Sequence, residues 1–266
     1  MTAAGWEFFL AYARGAWHAI WLVWPWLLAL VTFELIRPGR RLHWPTWVFN
    51  ALYLPVYLTV AAMVLYPIAH FTSPWLPVNL LGANFENLGP WAKAGMVAMY
   101  LVMFDFFYYW FHRAQHAWPF MWRLHRFHHS DVNVAVASAT RHHWLEEATR
   151  YFFMSVPLVM LVGHPEVFLP WLGIVIGVDG LFIHWNTRLR LGPLTGIIVG
   201  PQYHRVHHSI EPVHIDKNFS VMFPFWDRLF GTQCLPIGDE FPETGVVGLR
   251  SPNGWRLVLP WPAKNA

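Results

Sequence analysis

Cysteine is nearly missing from this chain: Cys234 stands alone among 266 residues. That excludes an intramolecular disulfide and a thiolate-rich metal site, so any bound metal must rely on other ligands. Charge is scarce as well. Only 12% of residues are charged and 56% are apolar, whereas soluble domains carry roughly 25% charged residues, and the balance indicates an integral membrane protein. The formal net charge of +3 is too small to suggest a nucleic-acid partner. Three chemical fingerprints are also missing: an H-E-x-x-H zinc-hydrolase motif, a G-x-G-x-x-G nucleotide loop and a His-Pro-Gly-Gly heme segment. Any redox chemistry therefore needs an external electron donor. The opening segment MTAAGWEFFLAYARGAW has no basic start and no small-residue cleavage site, and is not expected to be a removable signal.

Apolar runs are plentiful. Residues 17–36, 47–71 and 91–111 each supply the roughly 20 residues a bilayer core requires, and tryptophans at their ends suit the membrane interface. The loop after the first run carries Arg37, Arg40 and Arg41, while residues 72–90 hold no Lys or Arg. This asymmetry puts the first loop, and the exit of the third span, in the cytoplasm. Residues 151–183 are broken by Gly163-His164-Pro165 into pieces of 12 and 18 residues. They are expected to form a re-entrant hairpin, or a tilted pair whose first helix begins nearer Leu145. The expectation is an all-α integral membrane, multi-pass protein with four to five transmembrane or re-entrant helices and a cytoplasmic helical His-rich cap. It is read as a single domain over residues 1–266, with membrane helices in 17–104, the His-rich region in 105–232 and a tail, 233–266, lying as a surface loop.

Sixteen histidines occur, seven of them from His112 to His143 and four from His204 to His214. His112 and His116 continue the third span at i, i+4 spacing, which puts both imidazoles on one helix face. His125-x-x-His128-His129 and His204-x-x-His207-His208 repeat one pattern, each offering two or three ligands. Eight imidazoles exceed what one tetrahedral zinc or one facial-triad iron uses, so two divalent ions are the natural count. Imidazole alone does not choose between iron and zinc. A membrane metal transporter is the alternative from another class, but it would place ligands near mid-membrane, and these clusters lie beyond the span ends. His18, His43, His70 and His164 read as surface or core residues. Asp105 and Asp179, acids inside apolar runs, are functional candidates by cost of burial; Asp105 is expected to bond a histidine of another cluster. Asp227 and Arg228 are read as a pair, and Arg113, Arg123, Arg126, Arg141 and Arg205 as facing lipid phosphates or acids.

These boxes, with the surrounding FDFFYYWFHR, LHRFHHS, FIHWN, PQYHRVHHS, D-x-N-F and WDRLFGT segments, resemble the fatty acid hydroxylase/sterol desaturase superfamily from about Asp105 to Thr232. The resemblance implies two iron ions, which zinc could replace on purification, with dioxygen as co-substrate. It implies hydroxylation of a lipid or sterol-like C–H bond, desaturation or ether cleavage being other outcomes of the same centre. A ferredoxin or cytochrome b5 with its reductase would supply electrons. Two further ligands follow from it: His184, and His143 by register of an R-x-H-P-x-E segment in which Trp144 replaces proline, with His142 left open. Glu146 is expected to hold the second nitrogen of His143, and Asn186 and Asn218, inside the matching segments, to stand beside the ligands.

Overall fold

The computed structural model describes residues 21–76, 79–82, 88–163, 169–249 and 255–258. His18, His164 and the first residues of the 17–36 run lie outside them. The described residues are helical, with no strand and one isolated bridge, Ser209 to Thr244. Helix α1 covers Trp21–Ile36 and α2 covers Trp44–Thr72. The inward residues of α2, Thr46, Asn50, Tyr53, Tyr57 and Ala61, recur every three or four positions as one helix face requires. Helix α3, Pro90–Ala117, starts with proline in its first turn, where the missing N–H costs nothing. Its inward line, Asp105, Tyr109, His112 and Gln115, carries the first histidine box straight out of the apolar run.

Pro119 makes the next step. Proline cannot continue a helix and pushes its predecessor to extended backbone, and Trp118 sits at φ −100, ψ 122. The chain turns there into α4, Pro119–His129, laying the second box against the first. A helical path then runs through α5, Glu146–Arg150, a π-turn at Tyr151–Ser155 and α6, Val156–Val162. Gly163 ends it at φ +74, a conformation that costs a residue with a Cβ. The remaining helices are α7, Leu169–Ile183, α8, Pro201–His207, α9, Phe225–Leu229, and α10, Trp255–Val258.

Only α2 and α3 among the described residues are long and apolar enough to cross a bilayer, with peak mean hydropathy 1.9 and 1.3. Just 22% and 17% of those windows are buried within the protein, so neither behaves as the covered core helix of a soluble domain. Helices α1 and α7 are apolar but shorter. The 151–183 run is indeed interrupted, and its first arm begins at Glu146, not within the apolar stretch. The tail differs from the surface loop expected. Its bridge at Thr244, the bond from Gly245 N to the His208 carbonyl (3.2 Å) and buried Leu257 against Tyr53 and Phe127 strap part of it to the histidine region.

Candidate metal centre

Nine imidazoles from four segments converge in two groups whose donor atoms lie within 4.8 Å of one another: His112, His116, His125, His129 and His207, then His128, His184, His204 and His208. Helices α3 and α4 supply five rings, α8 and its C-cap three, and His184 follows α7 directly. Adjacent histidines divide between groups, His128 from His129 and His207 from His208, because successive residues on a helix point about 100° apart.

Outer partners fix the tautomers. Nδ1 of His112 donates to the Phe219 carbonyl at 2.8 Å, that of His128 to Arg141 at 3.2 Å, that of His184 to Gly180 at 2.7 Å and that of His207 to Lys217 at 2.7 Å. His125 Nδ1 donates to the Glu146 carboxylate at 3.3 Å and His116 Nδ1 to Asp216 at 3.1 Å. A carbonyl can only accept, so each of these rings carries its proton on Nδ1 and turns a lone pair on Nε2 inward. His112 Nε2 then faces His125 Nε2 at 3.1 Å, and His128 Nε2 faces His184 Nε2 at 3.2 Å. Two lone pairs that close repel unless a cation lies between them. Imidazole nitrogens held about 2.1 Å from one ion stand roughly 3.0–3.4 Å apart for angles between about 90° and 109°. Nε2 of His207 is buried with no hydrogen-bond partner, as a metal ligand should be without its ion. The donor set therefore fits two divalent ions that favour imidazole.

Electrostatics agree. Burial, then the neighbouring imidazoles, hold His128, His129, His204, His207 and His208 well below the ordinary value of 6.5. Burial also lowers His125 to about 4 and His184 to about 3. The rings are neutral near pH 7, the form that binds metal. Because folded values lie below unfolded ones, the unfolded chain takes up more protons once the pH drops under 6.5. Metal-free protein is therefore expected to hold its stability above about pH 6.5 and lose it progressively toward pH 4, and thermal unfolding in detergent across that range measures it. A flat profile would contradict this environment.

Several sequence-derived roles change. Asp105 bonds no histidine; it accepts the backbone amides of Val221, Met222 and Phe223 at 3.1, 3.1 and 2.8 Å and so pins the loop that presents the Phe219 carbonyl. Glu146 does not hold the ring of His143. Its Oε2 accepts from His125, from Gln115 at 2.7 Å and lies 3.4 Å from His142 Nδ1, while Oε1 takes the His143 amide at 3.2 Å. Burial pushes Glu146 up, but the His125 and His142 contacts outweigh it and hold the carboxyl well below its usual range. His142 stacks on His128 with centroids 4.4 Å apart. His143 is buried against Trp144 and belongs to neither group.

Asn186 clamps the Arg40 backbone with bonds of 3.0 and 2.7 Å, and Asn218, at φ +60, ties Tyr203 to Cys234. Asp179 on α7 bonds no imidazole among the described residues. Asp227 does not pair with Arg228; it accepts from Phe219 N, Ser220 N, Tyr203 and Thr232, and Arg228 reaches the Gly196 carbonyl. Arg141 and Arg205 are buried, not lipid-facing. Arg141 bonds Phe127 O, Asn50 and Ser130 and lies over Phe49 and Phe127. Arg205 reaches Pro242 O and sits 3.9 Å from the Phe241 ring centroid. Arg113 donates to Tyr109 OH. His43 bonds Thr46 and His70 stacks on Tyr66, both apart from the groups.

Glu34 was not singled out from sequence. Fully buried in α1, it accepts from Val136 N at 2.8 Å, Asn186 N at 3.1 Å and Trp47 at 3.3 Å. An acid within an apolar run was its signal, as it was for Asp105. Gly39 lets this entry loop come close: a Cβ there would meet Phe241 at 2.7 Å and the Thr187 backbone at 3.0 Å.

Two apolar helices long enough to span a bilayer and two adjoining all-imidazole groups, the first begun by His112 and His116 in the last turns of α3, are the marks of a histidine-box metalloprotein. The fatty acid hydroxylase family model matches residues 97–232, about half of the chain and all nine converging histidines, and the chain belongs to that family. It is 33% identical to an ornithine lipid hydroxylase of Rhizobium tropici over 59% of this chain and 47% of the relative. It is 35% identical to an alkylglycerol monooxygenase of Danio rerio over 64% and 37%, and 30% identical to a cholesterol 25-hydroxylase-like protein of Danio rerio over 74% and 76%. The chain thus spans less than half the length of the first two. No solved structure matches.

Proposed function

We propose that this chain is a multi-pass membrane oxygenase that uses dioxygen to hydroxylate a lipid C–H bond, with its histidine groups at the cytoplasmic face. The observation that carries the reading is the pair of opposed Nε2 contacts, His112 with His125 and His128 with His184, at 3.1 and 3.2 Å, within a family whose relatives are named as lipid hydroxylases and monooxygenases. The uncovered apolar faces of α2 and α3 and the Arg37, Arg40 and Arg41 loop beside the centre support the membrane placement. Two iron ions would activate dioxygen and supply the oxidant for an alkyl C–H bond; zinc can fill the same imidazoles during purification. His112, His116, His125, His129 and His207 would hold one ion, and His128, His184, His204 and His208 the other. Phe219, Lys217, Arg141 and Gly180 orient four of those rings through their carbonyls, and Glu146 and Asp216 two more through carboxylates. Burial of His128, His184, His204 and His208 would keep bulk water from the ion they hold. An external ferredoxin or cytochrome b5 system delivers electrons.

Lipid profiling of expressing cells under isotopically labelled dioxygen tests this. A labelled hydroxyl absent from vector controls is the expected outcome, and lipids unchanged across several hosts would sink the oxygenase reading. Two variants separate the neighbouring histidines. His142→Ala removes the ring stacked on His128 and a contact of Glu146, and is expected to weaken metal binding about 10- to 100-fold. His143→Ala should cost folding stability while leaving metal affinity near wild type, as competition with a chelator would measure.

A further inference from the structure

Arg141 and Arg205, both buried, each bond through Nε, Nη1 and Nη2. Arg150, at the end of α5, does not. Its Nη1 meets Glu147 at 2.7 Å, Nε is buried with no hydrogen-bond partner, and Nη2 makes no bond among the described residues although the side chain is 25% exposed. Glu147 accepts from Tyr57 as well and balances the guanidinium charge, so what Arg150 lacks is an acceptor, not a counter-ion. A donor left in that state is uncommon and costly. Directly after Arg150 the chain widens into the π-turn Tyr151–Ser155, a feature frequent at functional sites. The hydroxyl of Tyr108 on α3 is a second unbonded donor among the described residues, and Arg150 is the charge that bears on it most. Tyr108 packs on both the Ile183 cluster and the Phe111–Met154 cluster, and its ring centroid stands 5.5 Å from that of His112. Helical rise fixes the level of both donors. Tyr108 comes four residues before His112, and Arg150 four after Glu146, which bonds His125, so each stands about 6 Å to the span side of the ligands.

We propose that Arg150 and Tyr108 bind the ester or amide carbonyl of the lipid substrate and so direct oxidation to carbons on the head-group side of that carbonyl. The inference rests on the lipid-oxidation reading and names its substrate class. A carbonyl oxygen has two lone pairs and no proton, which matches two donors beside an ion pair whose charge is already balanced. The acyl chain then runs along the uncovered apolar faces of α2 and α3, and the head group points toward the ions, about one helical turn away. A lipid with an ether in place of the carbonyl offers a weaker acceptor and leaves both donors poorly paired.

Equilibrium binding to zinc-loaded protein in detergent tests the selection with two probes, dioctanoylglycerol and its diether, dioctylglycerol. Zinc is redox-inert, so neither probe is consumed. The diester is expected to bind at least about tenfold more tightly, the difference being a hydrogen bond to a charged donor. Arg150→Lys keeps a cation for Glu147 but loses the planar fork, and should shrink that preference to within about threefold at wild-type zinc content. Tyr108→Phe keeps the ring against His112 and removes only the hydroxyl. It should weaken diester binding about threefold or more and leave the diether unchanged, a split that a general loss of packing would not produce. Equal affinities in the wild type, or a preference that both variants retain, would overturn the proposal. The position of labelled oxygen in the product is an independent readout: on the head-group side of the carbonyl it supports the site, and in the acyl chain it overturns the site while leaving the oxygenase reading intact. Absence of any oxidised lipid would instead defeat that reading.

Discussion

With one ion in each histidine group, as proposed, replacing His128 with alanine is expected to leave about one tightly held ion per chain in place of two and to abolish the proposed lipid oxidation. His128 presents Nε2 to His184 at 3.2 Å and is locked by the Arg141 carbonyl through Nδ1. Its loss reduces the four-histidine group to three donors in a buried site, where water cannot readily fill the vacant volume with matching basicity. The loss of activity should exceed the roughly 10- to 100-fold typical of removing an outer partner. Metal content by mass spectrometry and turnover by product analysis are the two readouts, with His43→Ala, a change outside both groups, as control. Two ions per chain together with full turnover would remove this cluster from the mechanism.

The second large effect is expected at a residue that touches no imidazole. Asp105→Ala strips the acceptor from three amides, Val221, Met222 and Phe223. Each buried donor left unsatisfied costs roughly 1–3 kcal/mol, so the protein should lose at least about 3 kcal/mol of stability. The damage should also reach the ions. The loop that Asp105 pins contributes the Phe219 carbonyl, which sets the tautomer of His112, and Asp227 holds the same loop through the Phe219 and Ser220 amides. Metal loading is therefore expected to fall alongside thermal stability. Normal metal content in a destabilised variant would show that Asp227 holds Phe219 alone.

The histidine boxes were legible because helical spacing alone determines that His112 and His116, or His125 and His129, share a face. The turn at Trp118-Pro119 was equally local. What spacing could not supply was the partner of each polar group. Asp105 lies seven positions before His112 in sequence, and the groups it bonds lie 116 to 118 positions away, brought there by a loop with no regular period. Between His142 and His143 the register of the R-x-H-P-x-E segment pointed to His143, while the turn after Arg141 lays the His142 ring on His128. Arg141 and Arg205 were read as facing lipid phosphates or pairing with acids, arginine's usual role at such an interface; each is instead packed on aromatic rings and bonded to carbonyls, a burial that needs tertiary structure to be seen. The α2 and α3 spans followed from length and hydropathy, while α1 and α7, shorter in the described residues, do not pass the same test.

The split of neighbouring histidines between the two groups has a consequence for how the gene can vary. Within each H-x-x-H-H box the side chains are sorted by angle around the helix axis, so one inserted or deleted residue rotates everything beyond it by about 100°. Such a change would send ligands to the wrong ion or into the protein wall, even with every histidine retained. Substitutions between the boxed histidines, which alter a side chain but not the rotation, should be far better tolerated than any frame-preserving change in length. In these segments the length of the chain is as strict a requirement as its chemistry.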